Sequence, residues 1–485
     1  MRSENLAGGA LHNPASESDG QVEINWEEQY AYSLGMQAYV YGFPWVYLSW
    51  LRWVWTTVGG KKAGGGGLPW APVNTFFRSP QLASPATPTG GSPNCDTLYA
   101  VAWLDVSKEP LVVSVPAVTD RFYCLEMAGI DSDNFAYVGT HVTGTAAGNY
   151  LIAGPGWEGE VPTGVLDVLP RSRTPTIFLL GRTQVLENTK KDVDKANFIQ
   201  HHYRLKPLSS WPDFEAPTIH DVIDPHSPLN PTEDTEGTWI SMNRAMTENP
   251  PGVPPGIDQS ELLTLFATIG VGPNQSWENQ SPATKKGLAR AAKDGLAMVR
   301  KMAKGRGKAV NGWSYPPRDI GMAGQSSDFI TRAALQALGG IVANNSSEAV
   351  YLNSAVDSDN NALTGGKNYT IKFANGDSFP PFDPTYHGFW SITMYQSSDF
   401  NLVPNSQAYS INSYYPEFQT RDKSTGGMTI FLQLDQPDGY GENGVYWLQT
   451  PKDGEFYLVL RVYVPAPEVS YTQTFAPPLI VCTSG

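Results

Sequence analysis

The chain of 485 residues is long enough for two or three domains with large cores. Lys and Arg number 33 and Asp and Glu 47, so the formal net charge is −14, and an acidic surface repels phosphate backbones and anionic lipid head groups. Neither nucleic acid nor a membrane is therefore expected as a partner. Aromatic residues at 12% and charged residues at 16% are typical of a β-rich, loop-rich globular protein.

Residues 1–24 are small and polar, and they are predicted to form a disordered tail with no visible signal peptide. From Trp26 to Tyr41, apolar residues recur at helical spacing, and Pro44 is predicted to end that helix and begin a second one. Val40–Val58 is rich in Tyr, Trp and Leu, but Pro44 and Arg52 interrupt it before the roughly 20 apolar residues that a membrane span needs. A buried, kinked helix pair is therefore predicted.

After this helix pair, the pattern changes to short strands separated by turn signals such as Gly154-Pro155-Gly156. The predicted strands are Leu98–Leu104, Leu111–Val115, Phe122–Met127, Ala136–Val138, Asn149–Ile152 and Thr176–Leu180. Such a series is typical of a β-sandwich or a strongly twisted sheet, which with the helix pair would make an N-terminal unit over residues 25–190.

Residues 191–350 have a different pattern, in which apolar residues at helical spacing alternate with proline-rich linkers. The predicted helices are Val193–Tyr203, Trp239–Thr247, Gln259–Ile269, Pro282–Lys304 and Asp328–Ala343. This region is interpreted as a helical connection between two β domains.

Strands return over residues 351–485. In Phe389–Tyr395, both alternating faces carry large or β-branched side chains, which predicts a strand covered on both sides. Similar strands are predicted at Met428–Leu434 and Phe456–Val464, so this region is predicted to be a packed β-sandwich.

Three cysteines, Cys95, Cys124 and Cys482, have no metal-ligand spacing. Cys95 and Cys124 could pair in an oxidising compartment, but free buried thiols are the preferred interpretation.

Several short motifs occur in a fixed order along the chain. They are Tyr41-Gly42-Phe43-Pro44, Pro93-Asn94-Cys95-Asp96-Thr97-Leu98-Tyr99, Asp120-Arg121-Phe122-Tyr123, Gly154-Pro155-Gly156-Trp157-Glu158-Gly159, Gly181-Arg182-Thr183, Phe389-Trp390-Ser391-Ile392-Thr393-Met394-Tyr395 and Arg461-Val462-Tyr463-Val464-Pro465. With them, the chain resembles a two-domain family that carries domain of unknown function 1254 in its N-terminal part and domain of unknown function 1214 in its C-terminal part. The resemblance implies a β-rich fold with a jelly-roll-like C-terminal half, and it supplies no catalytic residues.

The chain departs from the usual pattern of that family at several positions. Ala408 stands where an arginine is usual, and His141 stands where many members have arginine. These changes remove charge, so a pocket shared with the family is expected to be less ionic here and to suit a more neutral, apolar ligand.

The segment from Asn94 to Tyr99 places polar side chains just before a predicted strand. Asp96 is a candidate general base or ligand-orienting carboxylate, and Asn94 and Tyr99 are candidate hydrogen-bond donors to a substrate. The alternative is an Asx-type turn that closes the loop onto the strand.

Arg121 and Tyr123 lie two residues apart, on one face of a predicted strand. Arg121 is a candidate residue for binding a substrate carboxylate through two hydrogen bonds. The alternative is a structural ion pair with Asp96 or Asp131.

His141 is the best single candidate for an acid–base group. It lies between glycines near the predicted rim of the sheet, and its reference pKa is close to neutrality. A second histidine cluster, His220 to His226, contains two carboxylates and could bind a metal ion, but it matches no zinc signature, so a surface loop is preferred and no metal is predicted.

Aromatic residues in the C-terminal part are candidates for the wall of a binding site. The substrate-binding candidates among them are Trp390, Tyr395, Tyr409 and Trp447. No phosphate-binding or dinucleotide-binding glycine pattern and no nucleophile elbow occurs, so no cofactor is predicted.

Together these patterns predict a β-rich α+β fold: two β-sandwich or jelly-roll-like domains, an N-terminal helix pair and a helical connecting segment. The preferred function is a cofactor-independent enzyme that acts on a small, largely apolar molecule in a water-poor cleft between the β domains. Hydrolysis, isomerisation, elimination and cyclisation all remain open. The alternative is a non-catalytic protein that binds glycans or other small ligands.

Overall fold

The computed structural model describes residues 25–63, 68–87, 91–213, 228–232, 237–252, 259–303, 307–404 and 408–483. The predicted tail at residues 1–24 and the histidine cluster from His220 to His226 lie outside the described residues.

The N-terminal β region is a sandwich of two sheets. Its strands are β1 Phe77–Arg78, β2 Thr97–Asp105, β3 Leu111–Val115, β4 Tyr123–Gly129, β5 Asn134–Gly139, β6 Gly148–Ile152, β7 Asp167–Val168, β8 Thr176–Gln184 and β9 Arg204–Pro207. They form a five-stranded sheet, β1-β2-β8-β4-β5, and a four-stranded sheet, β7-β6-β3-β9. Alternate residues such as Leu125 on β4 and Val113 on β3 bury an apolar core between the sheets.

The C-terminal β region is a second sandwich. Its strands are β10 Ala309–Val310, β11 Trp313–Ser314, β12 Ala349–Ser354, β13 Tyr369–Phe373, β14 Phe389–Gln396, β15 Ser410–Asn412, β16 Met428–Gln433, β17 Val445–Gln449, β18 Phe456–Tyr463 and β19 Ile480–Cys482. They form a six-stranded sheet, β10-β11-β12-β18-β14-β15, and a four-stranded sheet, β17-β16-β13-β19. Ile392 of β14 belongs to the core between these sheets, whereas Tyr395 packs on the opposite face. The prediction that β14 is covered on both sides is confirmed.

Helices form a third layer of the molecule. They are α1 Trp26–Thr56, α2 Val58–Ala63, α3 Lys190–His201, α4 Thr238–Glu248, α5 Ser260–Ala267 and α6 Pro282–Met302, followed by Phe329–Thr331 and the π-helical stretch Arg332–Gly339. Residues of α1, α4 and α6 share a core with Val101, Trp103 and Phe178, so these helices cover part of the outer face of the five-stranded sheet. Helix α3 packs separately, against Leu98 and Val185. Within the described part of the chain, no helix combines the length and apolarity needed to cross a bilayer.

The N-terminal helical region precedes the sheets as predicted, but its first helix does not end at Pro44. Helix α1 continues through Pro44 to Thr56 because its middle is buried on all sides. A proline in a helix leaves the carbonyl four residues earlier without its donor. The Arg332 guanidinium donates to the carbonyl of Tyr41, one residue beyond that position, at 2.6 Å.

The two sandwiches meet face to face. Part of the outer face of the five-stranded sheet, beyond the helix layer, packs against the six-stranded sheet. Phe122 and Cys124 share an apolar cluster with Phe389 and Tyr463 across this contact, and we call the contact the seam.

Candidate active site at the seam

The loop before β2 fastens the N-terminal sandwich to the C-terminal one. The backbone N–H of Asp96 donates to Asn94 Oδ1 at 2.7 Å, which confirms the predicted Asx-type turn. Asn94 Nδ2 donates to the Tyr463 hydroxyl at 2.5 Å, and the Tyr395 hydroxyl donates to the carbonyl of Pro93 at 2.8 Å. Asn94 and Tyr395 therefore both reach the seam, but each is engaged in holding this loop.

The carboxyl group of Asp96 is fully buried and accepts hydrogen bonds from the C-terminal sandwich. The donors are Ser391 Oγ at 2.6 Å, Ser410 Oγ at 2.9 Å and the Tyr414 hydroxyl at 3.3 Å. Burial raises the pKa of Asp96, and the hydroxyl donors oppose that rise. A carboxyl group enclosed by three hydroxyls connects the two sandwiches, and in this arrangement it has no free face for a substrate.

His141 lies at the rim of the seam and pairs across it with Glu348. Its Nδ1 is 2.8 Å from Glu348 Oε2; the imidazole is 28% exposed, whereas Glu348 is only 2% exposed. A turn after β5 aims the histidine, because the N–H groups of Val142 and Thr143 both bond the carbonyl of Gly139. The hydrogen bond that His141 donates to Glu348 raises the pKa of the imidazole. The rings of His141 and Tyr386 meet edge to face at a centroid distance of 5.3 Å.

Arg121 and Tyr123 do not reach the seam. Arg121 is buried in ion pairs with Asp120 and Asp192, and not with the predicted partners Asp96 or Asp131. Tyr123 points into the core of the N-terminal sandwich, where its ring stacks on that of Tyr203. Their side chains diverge because Arg121 precedes β4 and turns toward α3, which begins about 70 residues further along the chain.

The predicted aromatic wall is only partly assembled. Trp390 lies in the core of the C-terminal sandwich, stacked on Phe379. Trp447 lies on the other side of β17 from that core, and its indole donates to the carbonyl of Gln433. Tyr409 packs beside Cys95 and Tyr395, near the seam. Of the predicted wall residues, Tyr395 and Tyr409 are therefore the two that the fold brings to the interface.

Sequence reasoning missed two buried arginines of the seam, Arg182 on β8 and Arg461 on β18. Arg182 donates to Glu126 Oε2 at 2.6 Å, and Arg461 donates to Thr393 Oγ1 at 3.2 Å. Both stand in motifs that carry the family resemblance, Gly181-Arg182-Thr183 and Arg461-Val462-Tyr463-Val464-Pro465. Their place in these two motifs was the sequence feature that could have marked the two arginines as functional candidates.

Apolar side chains pack across the seam. Two concavities in the described part of the chain lie away from it: an open depression of about 580 Å³ on α3 and a slot of about 10 Å³ beside Trp55. Cys95 and Cys124 are buried free thiols, as preferred from the sequence. No cluster of metal-ligating side chains is found among the residues that the structure describes.

Residues 73–207 match the family described as protein of unknown function DUF1254, and residues 348–467 match the family described as protein of unknown function DUF1214. The chain belongs to the two-domain DUF1254–DUF1214 family. Each matched segment supplies one of the two seam arginines, Arg182 from the DUF1254 part and Arg461 from the DUF1214 part. No curated protein matches the chain.

Two solved structures resemble this DUF1254–DUF1214 protein. The VPA0106 protein from Vibrio parahaemolyticus is 21% identical with a TM-score of 0.69, over 94% of this chain and 100% of that one. An uncharacterized protein from Burkholderia cenocepacia is 12% identical with a TM-score of 0.43, over 90% of this chain and 86% of that one. The similarity to the Vibrio structure supports the fold described above. The TM-score of the Burkholderia structure is too low to support a conclusion.

Proposed function

We propose that the protein is a cofactor-independent enzyme that transfers protons to or from a small, largely apolar organic molecule, with His141 as the acid–base group. The observation that carries the proposal is the pairing of a partly exposed histidine with a buried carboxylate across the junction of two domains. Domain junctions are favoured places for small-molecule sites.

Glu348 gives His141 a defined orientation and tautomer. Because Oε2 accepts a hydrogen bond from Nδ1, the proton of a neutral imidazole resides on Nδ1, and Nε2 is left to take a proton from a substrate. Nε2 has no hydrogen-bond partner among the described side chains and backbone groups. The raised pKa keeps more of His141 protonated near neutral pH, so the same group can return the proton later in the reaction.

The surroundings of the pair favour an apolar substrate. The Tyr386 ring stands beside the imidazole, and the cluster of Phe122, Phe389 and Tyr463 fills the seam behind Glu348. Hydrolysis, elimination, and those isomerisations and cyclisations that move a proton each contain a step that such a pair serves. Glycan binding loses support, because Trp390 and Trp447, two of the aromatics expected along an open groove, are at most 3% exposed.

The test compares metabolite profiles of cells that contain the wild-type protein, the His141→Gln variant or no protein. We expect a set of metabolites to change with wild type and to remain unchanged with His141→Gln. The matched control is His202→Gln, because His202 also bonds a protein oxygen through Nδ1, at 2.7 Å from the carbonyl of Phe198, but lies far from the seam. Equal profiles for wild type and a folded His141→Gln protein would refute the role of His141.

A further inference from the structure

Two buried guanidinium groups from different sandwiches face one cluster of phenols inside the seam. Arg182 and Arg461 are 5% and 3% exposed, and the phenols belong to Tyr99, Tyr351 and Tyr463. Tyr99 and Tyr463 each lie within electrostatic range of both arginines. The cluster is distinct from the pair of His141 and Glu348, and no hydrogen bond between described residues joins the two.

The arginines have donors without acceptors. Nη1 of Arg182 donates to Glu126 and, at 3.3 Å, to Asn344 Oδ1, while Arg461 uses Nη1 for Thr393 and Nη2 for the carbonyl of Ser92 at 2.9 Å. The Nε–H of each arginine is buried and makes no hydrogen bond of good geometry in the described part of the protein, although the Tyr395 hydroxyl lies near Arg461 and the Cys124 thiol lies near Arg182. Buried polar hydrogens are almost always bonded, so two such groups in one cluster require an explanation.

The phenols add two further unused donors. The Tyr99 hydroxyl oxygen accepts from the N–H of Asn94 at 3.2 Å, and its own hydrogen has no acceptor among the described groups. The hydroxyls of Tyr351 and Tyr463 are 3.3 Å apart, and each already accepts from an asparagine amide, of Asn344 and Asn94 respectively. Only one of their two hydrogens can lie between the oxygens, so the other is also left without an acceptor.

The two arginines differ in how their charge is balanced. Glu126 pairs directly with Arg182 at 2.6 Å. Arg461 makes no direct ion pair with a carboxylate that the structure describes: the buried carboxyl group of Asp96 lies within electrostatic range of it, and the Tyr351 ring lies 5.3 Å from its guanidinium carbon. Four donors without a well-placed acceptor therefore coincide in one place, and one of the two cations has no carboxylate in direct contact.

We propose that Arg182, Arg461, Tyr99, Tyr351 and Tyr463 form a binding site for the carboxylate of a small organic acid. A carboxylate brings two acceptor oxygens and a single negative charge, and arginine holds it through a planar fork that includes Nε. Tyr99 and Tyr351 are partly exposed residues, so the cluster reaches the protein surface at these two side chains. The site does not depend on the proposed catalytic role of His141.

Acetate, benzoate and phosphate serve as probes for the full-length protein in a chloride-free buffer. We expect each carboxylate to raise the melting temperature in a saturable way and to bind measurably by calorimetry, and phosphate to bind at least tenfold more weakly. Tyr99→Phe and Tyr351→Phe remove one hydroxyl each and should weaken carboxylate binding about tenfold. The matched control is Tyr315→Phe, because the Tyr315 hydroxyl also donates to a backbone carbonyl, that of Phe475 at 2.7 Å, but lies in the core of the C-terminal sandwich, and its affinity should equal that of wild type.

Three results would overturn the site. The first is carboxylate binding that is equally strong in wild type and in a folded Tyr99→Phe, Tyr351→Phe double variant. The second is binding of phosphate without binding of either carboxylate. The third is a high-resolution structure, grown in a carboxylate buffer, in which only water bonds the two Nε–H groups. His141→Gln should bind the probes as wild type does, which separates this site from the proposed reaction.

Discussion

Among the candidate residues, His141 differs from the others because it retains access to solvent while its partner does not. Asp96 and Arg121 are buried and their polar atoms bond other side chains, whereas Glu348 holds one nitrogen of His141 and leaves the second one free. The charge of this imidazole is therefore coupled both to the fold and to any molecule that reaches the rim.

The stability of the protein should depend on the charge of His141. The pKa of His141 is higher in the folded protein than in the unfolded chain, where it is about 6.5. The pair of imidazolium and Glu348 therefore stabilises the fold fully at pH values below the unfolded pKa, and this stabilisation is lost as the pH rises through the folded-state pKa. His141→Gln should therefore lower the free energy of unfolding by about 1 kcal/mol more at pH 6 than at pH 9. Urea unfolding at both pH values measures the difference, and equal losses would contradict the pairing.

At the scale of elements, the sequence predicted where strands and helices lie better than it predicted what they contact. Strand Leu111–Val115 was predicted to the residue, and the helix predicted to begin at Pro282 begins there. These elements could be predicted because the pattern of apolar residues within each of them is sufficient to identify it. The continuation of α1 through Pro44 depends on its burial among elements far along the chain; Arg332, which bonds the carbonyl of Tyr41, is nearly 300 residues away. Local pattern carries no information about such a partner.

The same limit applies to the candidate site. The Asx turn at Asn94 is local and was foreseen, whereas the partners of Asp96 come from β14, β15 and Tyr414. Arg121 and Tyr123 were placed together because they lie two residues apart, but their side chains enter different surroundings. Arg461 and Arg182 were overlooked as functional groups because only the pairing of two distant sheets makes them neighbours of the same phenols.

The contact between α1 and α6 relies on glycine. A methyl group at Gly287 of α6 would lie 2.3 Å from the carbonyl oxygen of Glu28, which is rigid helix backbone. Gly287→Ala gains about 1 kcal/mol of helix propensity, but it must separate the two helices. We therefore expect a net loss of about 1–3 kcal/mol in the free energy of unfolding.

Thermal or urea unfolding of Gly287→Ala tests this contact. The control is Lys293→Ala, at an exposed position of the same helix, which should change stability by less than about 0.5 kcal/mol. An alanine at residue 287 that stabilises the protein would show that the helices separate without cost.

At the scale of the whole molecule, the seam joins the two sandwiches by polar contacts as well as apolar ones. Asp96 accepts from three hydroxyls of the C-terminal sandwich, Asn94 bonds Tyr463, and Arg461 bonds the carbonyl of Ser92. Buried hydrogen bonds require defined geometry, so the seam fixes the two sandwiches in one relative position. That position also brings Glu348 to His141 and Arg461 to the phenol cluster.

A double-mutant cycle between Asp96→Ala and Ser391→Ala tests whether the seam stabilises the molecule as a unit. Asp96→Ala leaves three buried hydroxyls without an acceptor and should lower the free energy of unfolding by about 2–4 kcal/mol. Because Ser391 Oγ donates to Asp96 at 2.6 Å, the two changes should be non-additive by about 1–2 kcal/mol.

The control cycle pairs Ser391→Ala with Asp105→Ala at the far end of β2, and it should be additive within about 0.5 kcal/mol. Additivity in both cycles would mean that the hydrogen bond between Asp96 and Ser391 does not couple the two sandwiches, and the geometry that brings Glu348 to His141 would then need no polar connection at Asp96.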